Sequence, residues 1–300
     1  MTTETATARP PVSVTVSTVM GWPEIEPELT SVIESVRRAG GDLVVTDGSN
    51  SPAPALGDDV TWVKYPGESV LKLRSRAYQH ARGDIVAITE DHVSVPPEWA
   101  TLHVDAHRRH PEAVAIGGSV VNGANDTLID IAGFLAVQAP LVAPIRTGPV
   151  RRMAGAVNVS YKRIALTDID DHDGMGVVDG WHQKALAESK ATLLNDDSIR
   201  VSHDQALGFR GMSRIHFDAA RTFAAFRRRR LGPKDAVWFF GAPVLPFVRT
   251  ARAVLLLSAR GHGRLAAKCT PAMLYLHYVQ ALGHITGYLR GAGDSPLGLR

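Results

Sequence analysis

Glu90-Asp91-His92 stand together where an apolar strand stops. Two carboxylates and an imidazole at a strand tip can hold a divalent cation. They sit inside the stretch RSRAYQHARGDIVAITEDHVSVPPEW, Arg74 to Trp99. A helix-like run, Ser75 to Ala81, precedes Gly83, which suits the position just past a helix. The strand Asp84 to Ile88 follows and delivers the cluster. Ligands of α/β sheets sit at the carboxyl ends of strands, so the cluster lies where a ligand would be. Asp47 and Ser49 end another strand in the same way, and His203 directly follows a third.

Those residues need a sheet to bring them together. Val12 to Met20 alternates β-branched and small polar residues and reads as a strand. Leu29, Val32, Ile33 and Val36 recur at helical spacing after Pro27, and Gly40-Gly41 ends that helix. A second strand, Asp42 to Thr46, runs into Asp47-Gly48-Ser49-Asn50. Strand, helix, strand over so short a span implies a right-handed βαβ unit and a parallel sheet. Thr61 to Tyr65, the helix Ser69 to Ala81 and the strand into Glu90 continue the alternation. Further along come a helix Trp99 to Arg109, a strand Val114 to Val121 and a helix within Asp126 to Ala143. Pro144 to Pro149 reads as a loop, His182 to Ser189 as a helix, and Thr192 to Leu194 and Ser198 to Val201 as two short strands.

After Gly208 the character changes. Phe217 to Arg230 reads as a helix ending in four arginines, and Ala251 to Arg260 and Ala272 to Leu289 are apolar helical stretches bordered by basic residues. Such helices can lie in a membrane interface or pack as a helical subdomain, and the clustering of aromatics with arginines favours the interface. The expected division is a disordered leader over 1–11, a catalytic domain over 12–220 and an apolar helical region over 221–300.

The chain has 300 residues, 45% hydrophobic and 21% charged, with a formal net charge of +3. That mild basicity, without zinc-finger, RRM or KH patterns, argues against nucleic acid as a partner. The single cysteine, Cys269, fits a reducing compartment. The polar leader reads as no signal peptide, and no apolar run is long enough to span a bilayer. No GxGxxG follows the first strand, which argues against a dinucleotide enzyme. Gly117-Gly118-Ser119 is no nucleophile elbow, because Val121 stands where glycine is needed. The acidic loop Asp168 to Asp173, with His172 inside it, lacks the EF-hand pattern and reads as a solvated loop or an acceptor-side lid.

In order and spacing, VSVTVST, VVTDGSN, the segment from Arg74 to Trp99, GAVNVSYKRIAL, VDGWHQKAL and IRVSH resemble the family 2 glycosyltransferases of the GT-A fold, over roughly Val12 to Arg230. The resemblance implies a Rossmann-like, mostly parallel sheet flanked by helices, and a metal-dependent transfer of a sugar from a nucleoside diphosphate donor. It assigns the metal to His92, at the last position of the family's Asp-x-Asp triplet, and to His203. Glu90 and Asp91 complete the triplet on the nucleotide-sugar side. Asp47, with Ser49 beside it, would meet the nucleobase, and Arg74 the nucleotide. Asp179, before a helix, matches the catalytic base of inverting members; its alternative is an N-cap. An imidazole in place of a carboxylate suits Mn²⁺ better than Mg²⁺. The C-terminal QALGHITGYLRG is similar to endings of membrane-associated members.

The implied protein is an inverting transferase, peripheral at the cytoplasmic face of a membrane, with a lipid-linked or glycan acceptor. The rival reading is a catalytically silent binding subunit of a glycan-assembly complex, since Val178 and His92 stand where family members carry acids. A nucleotidyltransferase would show a glycine- and lysine-rich loop near the first strand, which is absent.

Overall fold

The computed structural model describes residues 9–124, 127–151, 153, 155–171, 174–229 and 239–299. Most of the leader, Asp126, Arg152, His172, Asp173 and Arg230 lie outside the described residues.

β1 (Val12–Thr18) is buried along its whole length. Both of its faces are covered, so it reads as a near-continuous β-branched run, as central parallel strands do. Its polar members find partners: Ser13 Oγ donates to Asp42 Oδ1 at 2.5 Å, and Ser17 Oγ and Thr46 Oγ1 share a hydrogen bond at 3.0 Å. α1 (Glu26–Ala39) buries Leu29, Val32, Ile33 and Val36, the expected stripe, and stops at Gly40 with φ 65°. β2 (Asp42–Asp47), β3 (Val60–Lys64), α2 (Val70–His80) and β4 (Ile85–Glu90) complete the expected alternation.

The remaining elements are β5 (Val93–Ser94), α3 (Trp99–Arg109), β6 (Ala113–Asn122), α4 (Leu128–Gln138), β7 (Gly148–Val150), β8 (Val159–Lys162), α5 (Asp179–Glu188), β9 (Thr192–His203), α6 (Gly208–Arg228), α7 (Leu245–Ala259) and α8 (Gly263–Arg290). One sheet runs in the order β3-β2-β1-β4-β8-β6-β9-β5, with β7 also on β9. β3, β2, β1 and β4 are parallel. β8 is inserted antiparallel between β4 and β6.

Four strands differ from the sequence expectation: β5 and β7 lie outside every expected strand, with β7 beginning inside the expected loop Pro144 to Pro149 because it pairs with β9, and β8 and β9 differ as follows. GAVNVSYKRIAL supplies β8, whose four residues are too short to show a period. The two short strands expected over 192–201 are the arms of the single strand β9. Polar Asn195 to Ser198 interrupts its apolar pattern, and its register against β6 jumps there, from Gly117↔Asn195 to Ser119↔Arg200.

Asn158, fully buried, ties the new strand to its neighbours. Its Nδ2 donates to the carbonyls of Ser119 and Ile199, and its Oδ1 accepts from Trp99 Nε1 at 2.9 Å. Asn158→Ala would take this partner from four buried polar groups, since His103 Nε2 also lies 3.2 Å from Oδ1. The expected cost is about 3 kcal/mol, to be read from urea unfolding with Trp99 fluorescence.

The C-terminal helices join the main core. Ala253 and Leu257 of α7 and Ala266, Cys269, Met273 and Leu276 of α8 pack in one cluster with Phe134 and Leu135 of α4. α8 lies against α6 closely enough that a Cβ on Gly287 would meet the Arg221 carbonyl oxygen at 2.3 Å. α6 also runs unbroken through position 220, so the proposed division into catalytic and C-terminal regions falls inside a helix. The outer face of α7 leaves Val244, Phe247, Val248 and Leu255 exposed. Among the described residues, no helix is long and apolar enough to cross a membrane.

Candidate functional site

The parallel register sets the first part of the site. Ser17 on β1 pairs with Thr46 on one side and Glu90 on the other, so Asp47 and Glu90 emerge at the same carboxyl end of the sheet, with β1 between them. The pairing of Val93 with His203 brings the end of β9 to the residues that follow Glu90.

Glu90, His92 and His203 converge, with one ligand atom from each lying within 4.8 Å of the others. The two imidazole Nε2 atoms are 3.2 Å apart, and Glu90 Oε2 is 3.4 Å from His92 Nε2 and 3.8 Å from His203 Nε2. Asp91 does not point into this group: its Oδ1 holds His92 Nδ1 at 2.8 Å. A carboxylate behind a ligating imidazole fixes its orientation and raises its basicity.

The electrostatics favour a cation. Burial opposes a charged His92 ring, yet the Asp91 and Glu90 carboxylates overcome it and raise its pKa to about 10. Burial would likewise raise Glu90, but His92, Arg74 and His203 hold it at about 2. His203, buried and beside His92, falls to about 4 and presents a neutral ring. The carboxylates that bind a proton so tightly on His92 would favour a metal ion in its place. The donor set of two imidazoles and one carboxylate suits a transition-metal dication.

Arg74 carries the cluster towards Asp179. Its Nη2 donates to Glu90 Oε1 at 2.7 Å, and its Nη1 lies 3.6 Å from Asp179 Oδ2. Asp179 is the first residue of α5, and Val178 before it makes no side-chain cap. The Asp179 carboxylate turns instead to Tyr78, whose hydroxyl donates to Oδ1 at 3.0 Å. It is 3% exposed, and Oδ2 accepts no hydrogen bond. Burial pushes its pKa above the ordinary carboxylate value, against the pull of Arg74 and Tyr78. The approach to α5 runs over α2 at Gly176, where φ is +105° and a Cβ would meet the Leu71 carbonyl carbon at 2.2 Å. Gly176→Ala is therefore expected to displace Asp179 and lower any activity that uses it, while leaving the Glu90, His92 and His203 cluster intact; a Mn²⁺ titration separates the two.

Asp47 is enclosed. Its carboxylate accepts from Ser49 N at 2.7 Å, Trp62 Nε1 at 3.1 Å and Lys64 Nζ at 2.7 Å. Lys64 also reaches Ser49 Oγ at 3.2 Å. Asp47 and Ser49 thus share one polar knot at the end of β2, apart from the Glu90–Asp179 chain.

Asp130 of α4 was not legible as a site residue in the sequence. It is 1% exposed, and its Oδ1 accepts from the backbone of Leu207 at 2.9 Å and Gly208 at 2.8 Å. Thr127 Oγ1 donates to its other oxygen. It pins the turn after His203 to α4, whose Phe134 ring packs 5.7 Å from the His203 ring. The signal was a Thr-x-x-Asp at a helix start, which says nothing of a partner 77 residues away. Asp130→Ala is expected to cost about 2 kcal/mol through the unpaired donors, and to weaken Mn²⁺ binding by loosening His203; calorimetry with and without Mn²⁺ reads both.

No protein-family model matches the chain. Over 86 residues, 26% of the chain, it is 28% identical to the glucosyl-dolichyl phosphate glucuronosyltransferase of Haloferax volcanii. The match spans 28% of that protein's length. Among solved structures, the chain is similar to the mannosyltransferase PcManGT from Pyrobaculum calidifontis in complex with GDP-Man and Mn²⁺, with TM-score 0.56 and 19% identity over 94% of this chain and 88% of that one. GalNAc-T7, solved with UDP, GalNAc and Mn²⁺, aligns at TM-score 0.48 and 17% identity over 66% of this chain and 43% of that one. The fold is that of the GT-A glycosyltransferases: a mixed α/β architecture with a mostly parallel central sheet flanked by helices.

Proposed function

We propose that the protein is a metal-dependent, inverting glycosyltransferase of family 2 type, taking its sugar from a nucleoside diphosphate donor. The observation that carries the reading is the continuous chain from Asp179 through Arg74 and Glu90 to His92 and His203. Support comes from the GT-A fold and from the transferases to which the chain is similar, one of them solved with GDP-Man and Mn²⁺.

Glu90, His92 and His203 would hold the divalent cation, with Mn²⁺ preferred to Mg²⁺ because two of the three donors are imidazoles. When bound, the ion supplies charge neutralisation to the departing diphosphate. Asp91 keeps His92 oriented through Nδ1. Asp179 accepts the proton of the attacking hydroxyl at Oδ2, which faces Arg74 but takes no hydrogen bond, and its raised pKa makes it a better base than an exposed aspartate. Arg74 keeps Glu90 and Asp179 apart and compensates both charges. Asp47 and Ser49 shape the nucleobase side through Trp62 and Lys64. The acceptor is a lipid-linked or growing glycan. The exposed apolar face of α7 supports a place at the inner surface of a membrane. The linked arrangement of Asp179, Arg74, Glu90, His92 and His203 does not favour the silent-subunit reading.

Nucleotide-sugar hydrolysis tests this. Slow Mn²⁺-dependent release of a sugar of inverted configuration, followed by NMR, is expected. A released sugar of retained configuration would remove Asp179 from the role of base.

Base catalysis requires ionised Asp179, and its pKa lies above the usual value. Activity is therefore expected to fall on acidification at a pH above about 4, where an exposed aspartate would titrate. In Asp179→Glu, the limb should move while Mn²⁺ binding stays.

A further inference from the structure

α2 meets the approach to α5 along one face. Leu71, Arg74 and Tyr78 recur at helical spacing and share that side of α2. The Leu71 carbonyl accepts from Val177 N at 2.9 Å, which lays the segment before Asp179 on the helix. Arg74 Nη1 lies 3.6 Å from Asp179 Oδ2, while its Nη2 is committed to Glu90. One turn further, the Tyr78 hydroxyl donates to Asp179 Oδ1 at 3.0 Å.

The Tyr78 ring is buried in the cluster that holds Val86, Val159 and Tyr161. Phenylalanine would fill that space equally well, so what the hydroxyl adds is its bond to Asp179. Among the described residues it is the one hydrogen-bond donor to this carboxylate, since Oδ2 accepts none. The terminal torsion of an aspartate is broad, so a carboxylate without a fixed donor does not keep one oxygen forward.

We infer that Tyr78 is a positioning residue for the base: its bond to Oδ1 fixes the rotation of the Asp179 carboxylate and leaves Oδ2 as the oxygen that takes the acceptor's proton. The inference rests on the transferase reading, in which Asp179 is that base. In the step concerned, the acceptor oxygen bonds to the anomeric carbon and its proton passes to Oδ2. The bond from that carbon to the diphosphate oxygen breaks, and its electron pair leaves on the diphosphate. The groups that face Asp179 are Arg74 and Tyr78 from α2, Glu90 from β4, Tyr161 from β8 and His182 from its own helix. A hydrogen bond to the ionised form favours it, so loss of the Tyr78 hydroxyl makes Asp179 harder to ionise.

Tyr78→Phe tests this in the full chain with Mn²⁺, on whichever of UDP-glucose, UDP-GalNAc and GDP-mannose the parent hydrolyses fastest. On the pH plateau kcat is expected to fall by about 10²-fold with KM unchanged, the cost of a misplaced reacting group. The acid limb should move up by about one pH unit. A merely structural tyrosine would lower the melting temperature and leave the limb in place. Tyr78→3-fluorotyrosine keeps the shape and makes the hydroxyl a stronger donor, so its limb should move down. In an Asp179→Asn background, Tyr78→Phe should cost no further activity. A Tyr78→Phe protein whose plateau matches or exceeds the parent's, or whose limb stays, overturns the inference. No turnover by the parent would remove the transferase reading and this inference together. An inactive Asp179→Asn beside a fully active Tyr78→Phe would remove this inference alone.

Discussion

Asp179→Asn is expected to lower sugar transfer by about 10²–10⁴-fold, the usual contribution of a general base. The fold should lose nothing at neutral pH. The carboxyl's pKa is raised in the folded state, so the folded protein holds that proton more tightly than the unfolded chain does. Stability from this group is therefore greatest at low pH and is lost as pH rises through the folded value. Asparagine removes the buried charge that is disfavoured above that value. It can still accept from Tyr78, which donates to Oδ1 in the parent protein. The melting temperature of Asp179→Asn should equal or exceed that of the parent, and its affinity for Mn²⁺ and nucleotide should be unchanged. Calorimetry beside a transfer assay reads both. An active Asp179→Asn would move the base elsewhere, and Arg74 would then serve the donor alone.

The second large effect concerns the imidazoles. His92→Ala or His203→Ala removes one of three converging donors. Each should weaken Mn²⁺ binding by more than the roughly 10–100-fold typical of losing a supporting partner, and should abolish metal-dependent turnover. Asp91→Ala, which frees His92 Nδ1, should fall within that milder range. His92→Asp provides the sharper control. It restores an oxygen ligand at the same position, so metal dependence should survive while preference shifts from Mn²⁺ towards Mg²⁺. Isothermal titration with both ions checks each variant. A His92→Ala protein that binds Mn²⁺ normally would remove the cluster from the account.

The strand tips were legible because their signal is local. VVTDGSN and IVAITEDH each carry an apolar run that ends in acids, and parallel pairing through β1 does the rest. His203 was legible for the same reason, as the residue where IRVSH stops. Three features were not. β8 is buried on both faces and spans four residues, so it shows no alternation, and its place between β4 and β6 is set by tertiary pairing. Asp130 resembles a helix-start acid, and only the approach of the turn at Leu207 gives it a function. Asp47 reads as an acid offered to a ligand, but its protein partners Trp62 and Lys64, 15 and 17 residues on, both donate to Oδ2 and are set by the pairing of β2 with β3. The N-cap alternative for Asp179 also needed the structure, because its partner Tyr78 lies 101 residues away.

The C-terminal helices show how amphipathic patterns can serve two surfaces. Ala253 and Leu257 face the core, while Val244, Phe247, Val248 and Leu255 on or beside the same helix face outward. The inward side of α7 packs on the core, and its outward side is where the proposed membrane contact would fall.

The proposed function requires a nucleotide-sugar site completed by a divalent cation. Thermal stability of the full chain, measured against nucleoside diphosphates and nucleotide sugars with Mn²⁺, Mg²⁺ or a chelator, tests it most directly. A ligand at a hundred times its Kd adds about 2.7 kcal/mol. One nucleotide is expected to give a clear upward shift with Mn²⁺, a smaller one with Mg²⁺ and none with chelator. A well-folded sample that shifts with no nucleotide under any of these conditions would contradict it.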